Sequence, residues 1–280
     1  MRDWPRSLRR ATSLLFNLSQ VAQKIHFNQG ATMQFDLIMA TQFSFAIAFL
    51  GMFGGGMYFA MIKSTLPVEH QSNAVTSAVY CFMASIMYAF INYKYGIGTD
   101  ALAKGDYPTV LRYIDWLVTT PLIVNKFPEM LGGEDAAAVA ILVIVADVMM
   151  ILFGWAGESS INASKGPTVI GWAMFGVGCL AWLFIIFVLY TAVTNASANK
   201  LGPIKQGLSR LKLFIVFGWL IYPLGFLITL ISSSPDMRVG RELIYNIADL
   251  FNKVGFGMVA IYAIRQMVRE NKIREAMQQL

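Results

Sequence analysis

The sequence predicts an all-α membrane protein, a bundle of seven transmembrane helices. Of its 280 residues, 56% are hydrophobic and only 14% charged, and the mean hydropathy of +0.56 lies far from that of soluble domains. The apolar runs are long and lack period-2 alternation, which excludes an outer-membrane barrel. Seven runs are long enough to cross about 30 Å of hydrocarbon. These runs, spans 1 to 7 below, cover residues 37–62, 71–93, 107–130, 136–157, 166–199, 213–235 and 243–264.

The distribution of positive charge predicts an N-terminus outside the cell and a cytoplasmic C-terminus. Seven crossings put the termini on opposite sides, and cytoplasmic loops carry the excess of Lys and Arg. Beyond residue 35, one side holds five such residues: Lys94, Lys104, Lys165, Arg238 and Arg241. The other side holds ten: Lys63, Lys126, Lys200, Lys205, Arg210, Lys212, Arg265, Arg269, Lys272 and Arg274. The side with ten is therefore interpreted as cytoplasmic.

Three regions follow from this pattern: an N-terminal amphipathic extension at 1–35, the helical domain at 36–271 and a cytoplasmic tail at 272–280. The extension places apolar residues at steps of three and four, typical of a helix lying on lipid headgroups. A lid or an oligomer contact is the alternative. Its five cations oppose the positive-inside assignment of the outer side.

Several kinds of chemistry find no support in the sequence. Cys81 and Cys179 lie within different spans without CxxC spacing, and His26 and His70 lie outside the spans, so no metal site is predicted. No phosphate-binding loop or nucleophile elbow is present. The net charge of +6 is spread over loops, which favours contact with the membrane surface over nucleic-acid binding.

Charged side chains within spans are costly in hydrocarbon and mark candidate functional positions. Six of those inside the predicted spans are singled out: Arg112, Asp115, Lys126, Asp147, Asp249 and Lys253. Four residues of span 3, at i, i+3, i+7 and i+14, share one helical stripe: Arg112, Asp115, Thr119 and Lys126. In span 7, Asp249 and Lys253 are i, i+4 neighbours. The two stripes are expected to meet inside the bundle.

The charges of Arg112, Asp115, Asp249 and Lys253 sum to zero, so a mutual cluster near the bilayer midplane would offset their desolvation. An ion-pair network that only fixes helix register is the bland alternative. Lys126 and Asp147 have no partner within a turn of their own helices, and burial favours their neutral forms. We expect Asp147 to form a hydrogen bond with Thr120 across spans 3 and 4.

Aromatic residues form a second pattern. Trp219, Tyr222 and Phe226 share one face of span 6, where Pro223 is expected to kink the helix. Ordinary core packing accounts for most aromatic stripes. A slot lined by rings and ending at a lysine would nevertheless suit a long polyene aldehyde bound as a Schiff base.

Three motifs in order resemble helices C, F and G of the microbial rhodopsins, and above all the proteorhodopsin-type proton pumps. They are RYIDWLVTTPL (Arg112 to Leu122), WLIYP (Trp219 to Pro223) and YNIADLFNKVGFG (Tyr245 to Gly257). The resemblance extends over the chain from residue 36. It implies a transport protein or photoreceptor rather than an enzyme.

The resemblance implies that Lys253 carries all-trans retinal as a Schiff base. Asp115 would be the primary counterion and proton acceptor, Asp249 the second counterion, and Arg112 the outward gate. Thr119 occupies the second position of the signature that separates pump classes. The implied retinal pocket comprises Lys253, Trp116, Thr120, Ile123, Asp147, Met150, Gly154, Trp182, Trp219, Tyr222, Pro223 and Phe226.

Lys126 falls where these pumps usually carry a carboxylic proton donor, which resembles a minor branch with lysine there. Two departures accompany it. Met87 replaces a histidine that commonly bonds the acceptor. The paired outer glutamates that release protons in bacteriorhodopsin are also missing, with Arg241 near one of their positions and Glu242 only a weak substitute.

The resulting hypothesis is a light-driven outward proton pump in a prokaryotic plasma membrane. Its partners would be protons, the lipid bilayer and further copies of itself, as a trimer or pentamer, and none would be a nucleic acid. A slow-cycling photosensor is the main alternative. Asp115 and Thr119 argue against sodium and chloride pumps, and a non-photochemical seven-helix protein stays formally open.

Overall fold

A computed structural model of the chain describes residues 36–133, 135–196, 202–232 and 234–278. Every regular element within these ranges is helical, and the helices form the seven spans, so the predicted fold class is confirmed. The extension predicted for residues 1–35 lies outside the described residues.

Four spans are single helices. Span 1 is Leu37–Ile62, span 2 is Gln71–Tyr95, span 4 is Ala136–Ser164 and span 5 is Val169–Ala196. Span 1 has its predicted limits, whereas span 4 ends at Ser164 rather than at residue 157. Side chains such as those of Leu50, Phe187 and Phe251 are more than 60% exposed, as expected for a surface that faces lipid.

Span 3 is interrupted. One helix runs over Thr109–Val124 and a short one over Lys126–Leu131, with Asn125 between them. Pro128 explains the break, because proline offers no N–H to the Val124 carbonyl and its ring collides with that group. Six of the described helices are long and apolar enough to span a membrane on their own. The charged and broken span 3 supplies the seventh crossing.

Spans 6 and 7 are longer than predicted, and each contains a five-residue π-helical segment. Span 6 consists of Gly202–Leu213, the π segment Phe214–Gly218 and Ile221–Ile231; span 7 consists of Pro235–Leu250, the π segment Phe251–Gly255 and Phe256–Gln278. Span 6 is interrupted at Trp219 and Leu220, and Trp219 lies four residues before Pro223. This agrees with the disturbance predicted for that proline.

The largest cluster of buried apolar residues occupies the half of the bundle predicted to face the cytoplasm. It includes Phe59 of span 1, Phe127 of span 3 and Phe256 of span 7, all fully buried. The opposite half instead buries arginine and glutamate side chains, Arg241 and Glu242 among them. The bundle is therefore polarised along the membrane normal, and Lys253 lies between its two halves.

Candidate functional site

The side chain of Lys253 lies between two carboxylates. Its Nζ is 3.0 Å from Oδ2 of Asp115 in span 3 and 3.3 Å from Oδ2 of Asp249 in span 7. The lysine side chain is 2% exposed and each aspartate side chain 1%. The expected meeting of the two polar stripes is confirmed. Removing one partner of such a buried set leaves an uncompensated charge and costs about 3–5 kcal/mol.

The two carboxylates have different surroundings. Asp249 accepts hydrogen bonds from the Tyr222 hydroxyl at 2.6 Å, the Tyr88 hydroxyl at 2.9 Å and the Trp116 indole at 3.1 Å. Asp115 accepts one from Lys253, and its Oδ1 is buried without a partner among the described residues. Three donors hold Asp249 as a carboxylate, whereas Asp115 keeps the capacity to take up a proton.

Two π segments shape the backbone around Lys253. Lys253 belongs to the segment of span 7, and its neighbour Asn252 donates to the Gly218 carbonyl of span 6 at 3.0 Å and to the Tyr222 hydroxyl at 3.3 Å. A Cβ at residue 218 would collide with the Asn252 amide, so glycine permits this close approach. π segments are rare and often occur at functional sites.

An apolar cavity walled largely by aromatic and small side chains lies beside Lys253. Ten of the twelve residues predicted to bind the cofactor line it: Trp116, Thr120, Met150, Gly154, Trp182, Trp219, Tyr222, Pro223, Phe226 and Lys253. Asp249 lines it as well. Eight further lining residues were not predicted to belong to the pocket: Tyr113, Ile151, Met174, Phe175, Gly178, Cys179, Tyr245 and Asn252.

Ile123 and Asp147 do not line the cavity. Ile123 belongs to the large apolar cluster. Asp147 is fully buried and accepts a hydrogen bond of 2.7 Å from Thr120, so the bond expected between spans 3 and 4 is present. Because Thr120 lines the cavity, Asp147 can influence it only from behind that side chain.

A chain of buried ion pairs leads outward from Lys253. The Arg112 guanidinium lies 3.9 Å from Asp249 and 2.6 Å from Glu242. Arg241 lies 2.6 Å from Glu242 and 2.8 Å from Glu158. We call Arg112, Glu158, Arg241 and Glu242 the outer network; none of these side chains is more than 3% exposed.

The outer network corrects two predictions. Arg241 was predicted to lie in an outer loop, which is wrong, because span 7 begins at Pro235 and buries this side chain. Glu242, considered a weak substitute, is fully buried and pairs with both arginines. The pattern held a signal, since Glu242, Asp249 and Lys253 fall at i, i+7 and i+11, on one face of a helix.

Additional hydrogen bonds fix the two ends of the outer network. Arg112 donates to the Tyr88 hydroxyl at 2.9 Å and to Asn246 at 2.5 Å. At the far end, Glu158 accepts from Thr109 at 3.1 Å and from Tyr113 at 3.2 Å. Polar groups thus form a continuous route from the Lys253 cluster to the outer end of the bundle.

Lys126 stands apart from this cluster, on the opposite side of Lys253. Its side chain is fully buried, and its Nζ donates to the backbone carbonyl of Asn73 at 2.6 Å. The Tyr80 ring centre lies 5.9 Å from this nitrogen, and the neighbouring Phe127 belongs to the apolar cluster. Of the residues predicted to share its stripe on span 3, Asp115 contacts Lys253. Lys126 itself lies away from that cluster.

The fold and the site define the class of protein: a seven-helix bundle with a buried lysine between two carboxylates at an aromatic cavity. The chain belongs to the bacteriorhodopsin-like family, whose family model matches residues 39–267. This confirms the microbial-rhodopsin resemblance drawn from the motifs. Members of the family are pumps or sensors and multi-pass membrane proteins, and they bind retinal as their chromophore.

Individual relatives include both kinds of rhodopsin. A green-light absorbing proteorhodopsin from gamma-proteobacterium EBAC31A08 is 34% identical over 174 residues, 61% of this chain and 67% of that protein. Sensory rhodopsin-2 of Natronomonas pharaonis is 30% identical over 234 residues, 81% and 90% of the two chains. The crystal structure of Exiguobacterium sibiricum rhodopsin superposes with a TM-score of 0.79 at 44% identity, over 82% of this chain and 98% of that one.

The residues present fit retinal. A primary amine, two carboxylates within 3.3 Å of it and an apolar cavity walled by aromatic rings provide an attachment point, counterions and room for a polyene. The cavity is lined by small residues as well, and a Cβ at Gly154 would approach the Tyr113 ring at 3.1 Å.

Proposed function

We propose that this chain is a light-driven outward proton pump that holds all-trans retinal on Lys253. The observation that carries the proposal is the position of Lys253 Nζ between Asp115 and Asp249, two carboxylates with unequal hydrogen bonding. When bound to this nitrogen, retinal would supply light absorption and an isomerisation from all-trans to 13-cis that alters the surroundings of the nitrogen's proton.

In this proposal Asp115 receives the proton. Its Oδ2 lies 3.0 Å from Lys253 Nζ, within hydrogen-bond reach, and its Oδ1 has no other donor in the described ranges. Met87 on span 2 is half-buried, and no hydrogen bond reaches Asp115 from it. Asp249 stays a carboxylate because Tyr88, Tyr222 and Trp116 donate to it.

Arg112 acts as the outward gate. Its guanidinium contacts both Asp249 and Glu242, so a small rearrangement of this side chain changes the balance between the Lys253 cluster and the outer network. Moving the proton from the Lys253 nitrogen to Asp115 neutralises both groups, so the net charge of the cluster is unchanged but the charge that Arg112 faces is redistributed. A shift of Arg112 between Asp249 and Glu242 in response would open or close the outward route.

Lys126 is the proposed donor on the cytoplasmic side. As a neutral amine it can take up one proton and pass it toward Lys253 when this half of the bundle hydrates. Thr119 lies between Asp115 and Lys126 on the stripe of span 3, and its hydroxyl donates to the backbone carbonyl of Asp115 at 2.8 Å. That bond orients Thr119 and leaves the carboxylate of Asp115 unaffected.

The pump hypothesis is tested in a suspension of cells that make the protein with retinal. Illumination should lower the external pH, a protonophore should abolish the change, and Asp115→Asn should give none. A suspension in which light produces no pH change, despite a visible pigment, would contradict pumping.

A photosensor is the second candidate, because sensory rhodopsins share up to 31% identity with this chain. Such a protein would form the same pigment and recover slowly in the dark without net transport. Pigment with no transport in the suspension test would favour it. We also propose a prokaryotic plasma-membrane location and a homo-oligomer of three or five chains, both of which the resemblance supports. Mass measurement of purified protein in detergent would test the number of chains.

A further inference from the structure

We propose that Glu129 is the relay that delivers cytoplasmic protons to Lys126. This inference rests on the proposed function, because it names the group from which the donor lysine is recharged. Glu129 would take a proton from cytoplasmic water and pass it as a carboxylic acid to the neutral Lys126 amine. The products are a Glu129 carboxylate and a Lys126 ammonium, and only O–H and N–H bonds form or break.

The position of Glu129 on the helix carries the first step of the proposal. Lys126 and Glu129 both belong to the short helix Lys126–Leu131, at i and i+3, and therefore lie on the same face. At about 1.5 Å per residue, the Glu129 Cα lies about 4.5 Å further along the axis, away from Lys253 and toward the predicted cytoplasmic side. A proton that moves inward from water meets Glu129 before Lys126.

The burial of Glu129 carries the second step. Its side chain is half-buried and spans the boundary between surface and interior. Its Oε2 is buried without a hydrogen-bond partner among the described residues. Among the described residues, Asp115 and Asp147 also have such an oxygen, but they lie deeper in the bundle, beside Lys253 and Thr120. Buried carboxylate oxygens are normally satisfied by a proton or by water, so Oε2 of Glu129 has the capacity that a relay requires.

The surroundings of Lys126 carry the third step. Its amine has a single hydrogen bond, to the Asn73 carbonyl, and the side-chain Oδ1 of Asn73 is also buried without a partner within the described part of the chain. The Lys126 amine, Asn73 Oδ1 and Glu129 Oε2 thus each retain hydrogen-bonding capacity. In the proposed relay one internal water, which needs two to four polar partners, would connect Glu129 with Lys126.

The test measures recovery of the visible absorption band after a flash in the retinal-loaded protein. Glu129→Gln should slow recovery about 100-fold, the low end of what a positioned acid contributes, and Glu129→Asp should restore most of the wild-type rate. Glu69→Gln, which removes an exposed cytoplasmic carboxylate, should recover as the wild type does. In the Lys126→Ala background, Glu129→Gln should add no further delay. A wild-type rate in Glu129→Gln, or an additional delay in the double variant, would overturn the relay.

A second readout uses the retinal-free protein. The ¹⁵N resonance of Lys126 Nζ, assigned by its loss in Lys126→Ala, should shift in Glu129→Gln and stay in place in Glu69→Gln. Equal spectra for all three proteins would overturn the coupling between the two groups. The two proposals fail differently: absence of light-driven pH change in the wild type rejects the pump, whereas normal pumping with unaltered recovery in Glu129→Gln rejects only the relay.

Discussion

The two halves of the bundle on either side of Lys253 are built on different principles. In the outer half, Arg112, Glu242, Arg241 and Glu158 follow one another as buried ion pairs of 2.6–2.8 Å. In the cytoplasmic half, Lys126 is a single buried amine whose one hydrogen bond goes to a backbone carbonyl. The outer half offers a polar route at rest, whereas the cytoplasmic half is closed by apolar packing.

This difference gives a physical basis for direction. A proton released near Lys253 finds polar groups on the outer side immediately, because the outer network is already formed. On the cytoplasmic side, a proton can pass only after water enters around Phe127, Phe256 and their neighbours. In the proposed pump, transport toward the outside would therefore need no large rearrangement, and passage from Lys253 back to the cytoplasm would be opposed by the dry half.

The largest expected effect comes from removing the group on which both halves converge. Lys253→Ala deletes the amine that would bind retinal, so membranes supplied with retinal should show no visible absorption band. Lys126→Ala is the matched control, since it removes the other buried amine and should leave the pigment intact. A pigment that survives in Lys253→Ala would refute the assignment of the attachment site.

The next effect concerns the first group on the outward route. Asp115→Asn keeps the shape of the side chain but cannot accept a proton, so the pigment should form while light-driven transport falls to background. Spectra and transport should be recorded on the same membranes. Transport that persists in Asp115→Asn would show that the proton leaves by another group.

On the other side of Lys253, Lys126→Ala should slow recovery of the visible band after a flash by about 100-fold or more. The early bleaching should keep its wild-type rate, because the outer half is unchanged. Flash photolysis measures both rates in one experiment. Recovery at the wild-type rate would remove Lys126 from the mechanism.

The smallest expected effects are changes in the free energy of unfolding, measured without light for one variant in each half. Glu242→Gln leaves Arg112 and Arg241 without their shared carboxylate and should lower the free energy of unfolding by about 3–5 kcal/mol. Lys126→Met replaces an isolated buried amine by an apolar side chain and should be neutral or stabilising. Unfolding in detergent mixtures compares the two. Equal losses would mean that the halves are not energetically different.

The sequence predicts most of the fold because hydrocarbon imposes a simple rule of length and polarity on spans. The limits Leu37–Ile62 followed directly from it. The interruption at Asn125 did not, since it depends on how Pro128 disturbs the Val124 carbonyl within an apolar run. The early start of span 6 was also missed, because the helix Gly202–Leu213 carries three cations, Lys205, Arg210 and Lys212, and resembles a loop by hydropathy.

The candidate site, like the fold, was predicted from the sequence only in part. Spacing was sufficient to bring Asp115, Asp249 and Lys253 together, because neighbouring charges in an apolar span must find one another. The outer network was not predicted, because Arg241 and Glu158 lie near span ends, where a charged residue is normally solvated. Only the tertiary structure shows that they are buried. The part of the cavity wall formed by Met174 and Gly178 of span 5 follows no polar signal at all.

The most direct test of the account is the direction of proton movement relative to the two halves. The protein is reconstituted with retinal into vesicles, its orientation is determined by protease access to the C-terminal helix, and the internal pH is followed during illumination. Protons should move from the side of Arg265 and Arg269 to the side of Arg238 in every preparation. Movement in the opposite direction, or none from an intact pigment, would contradict the account.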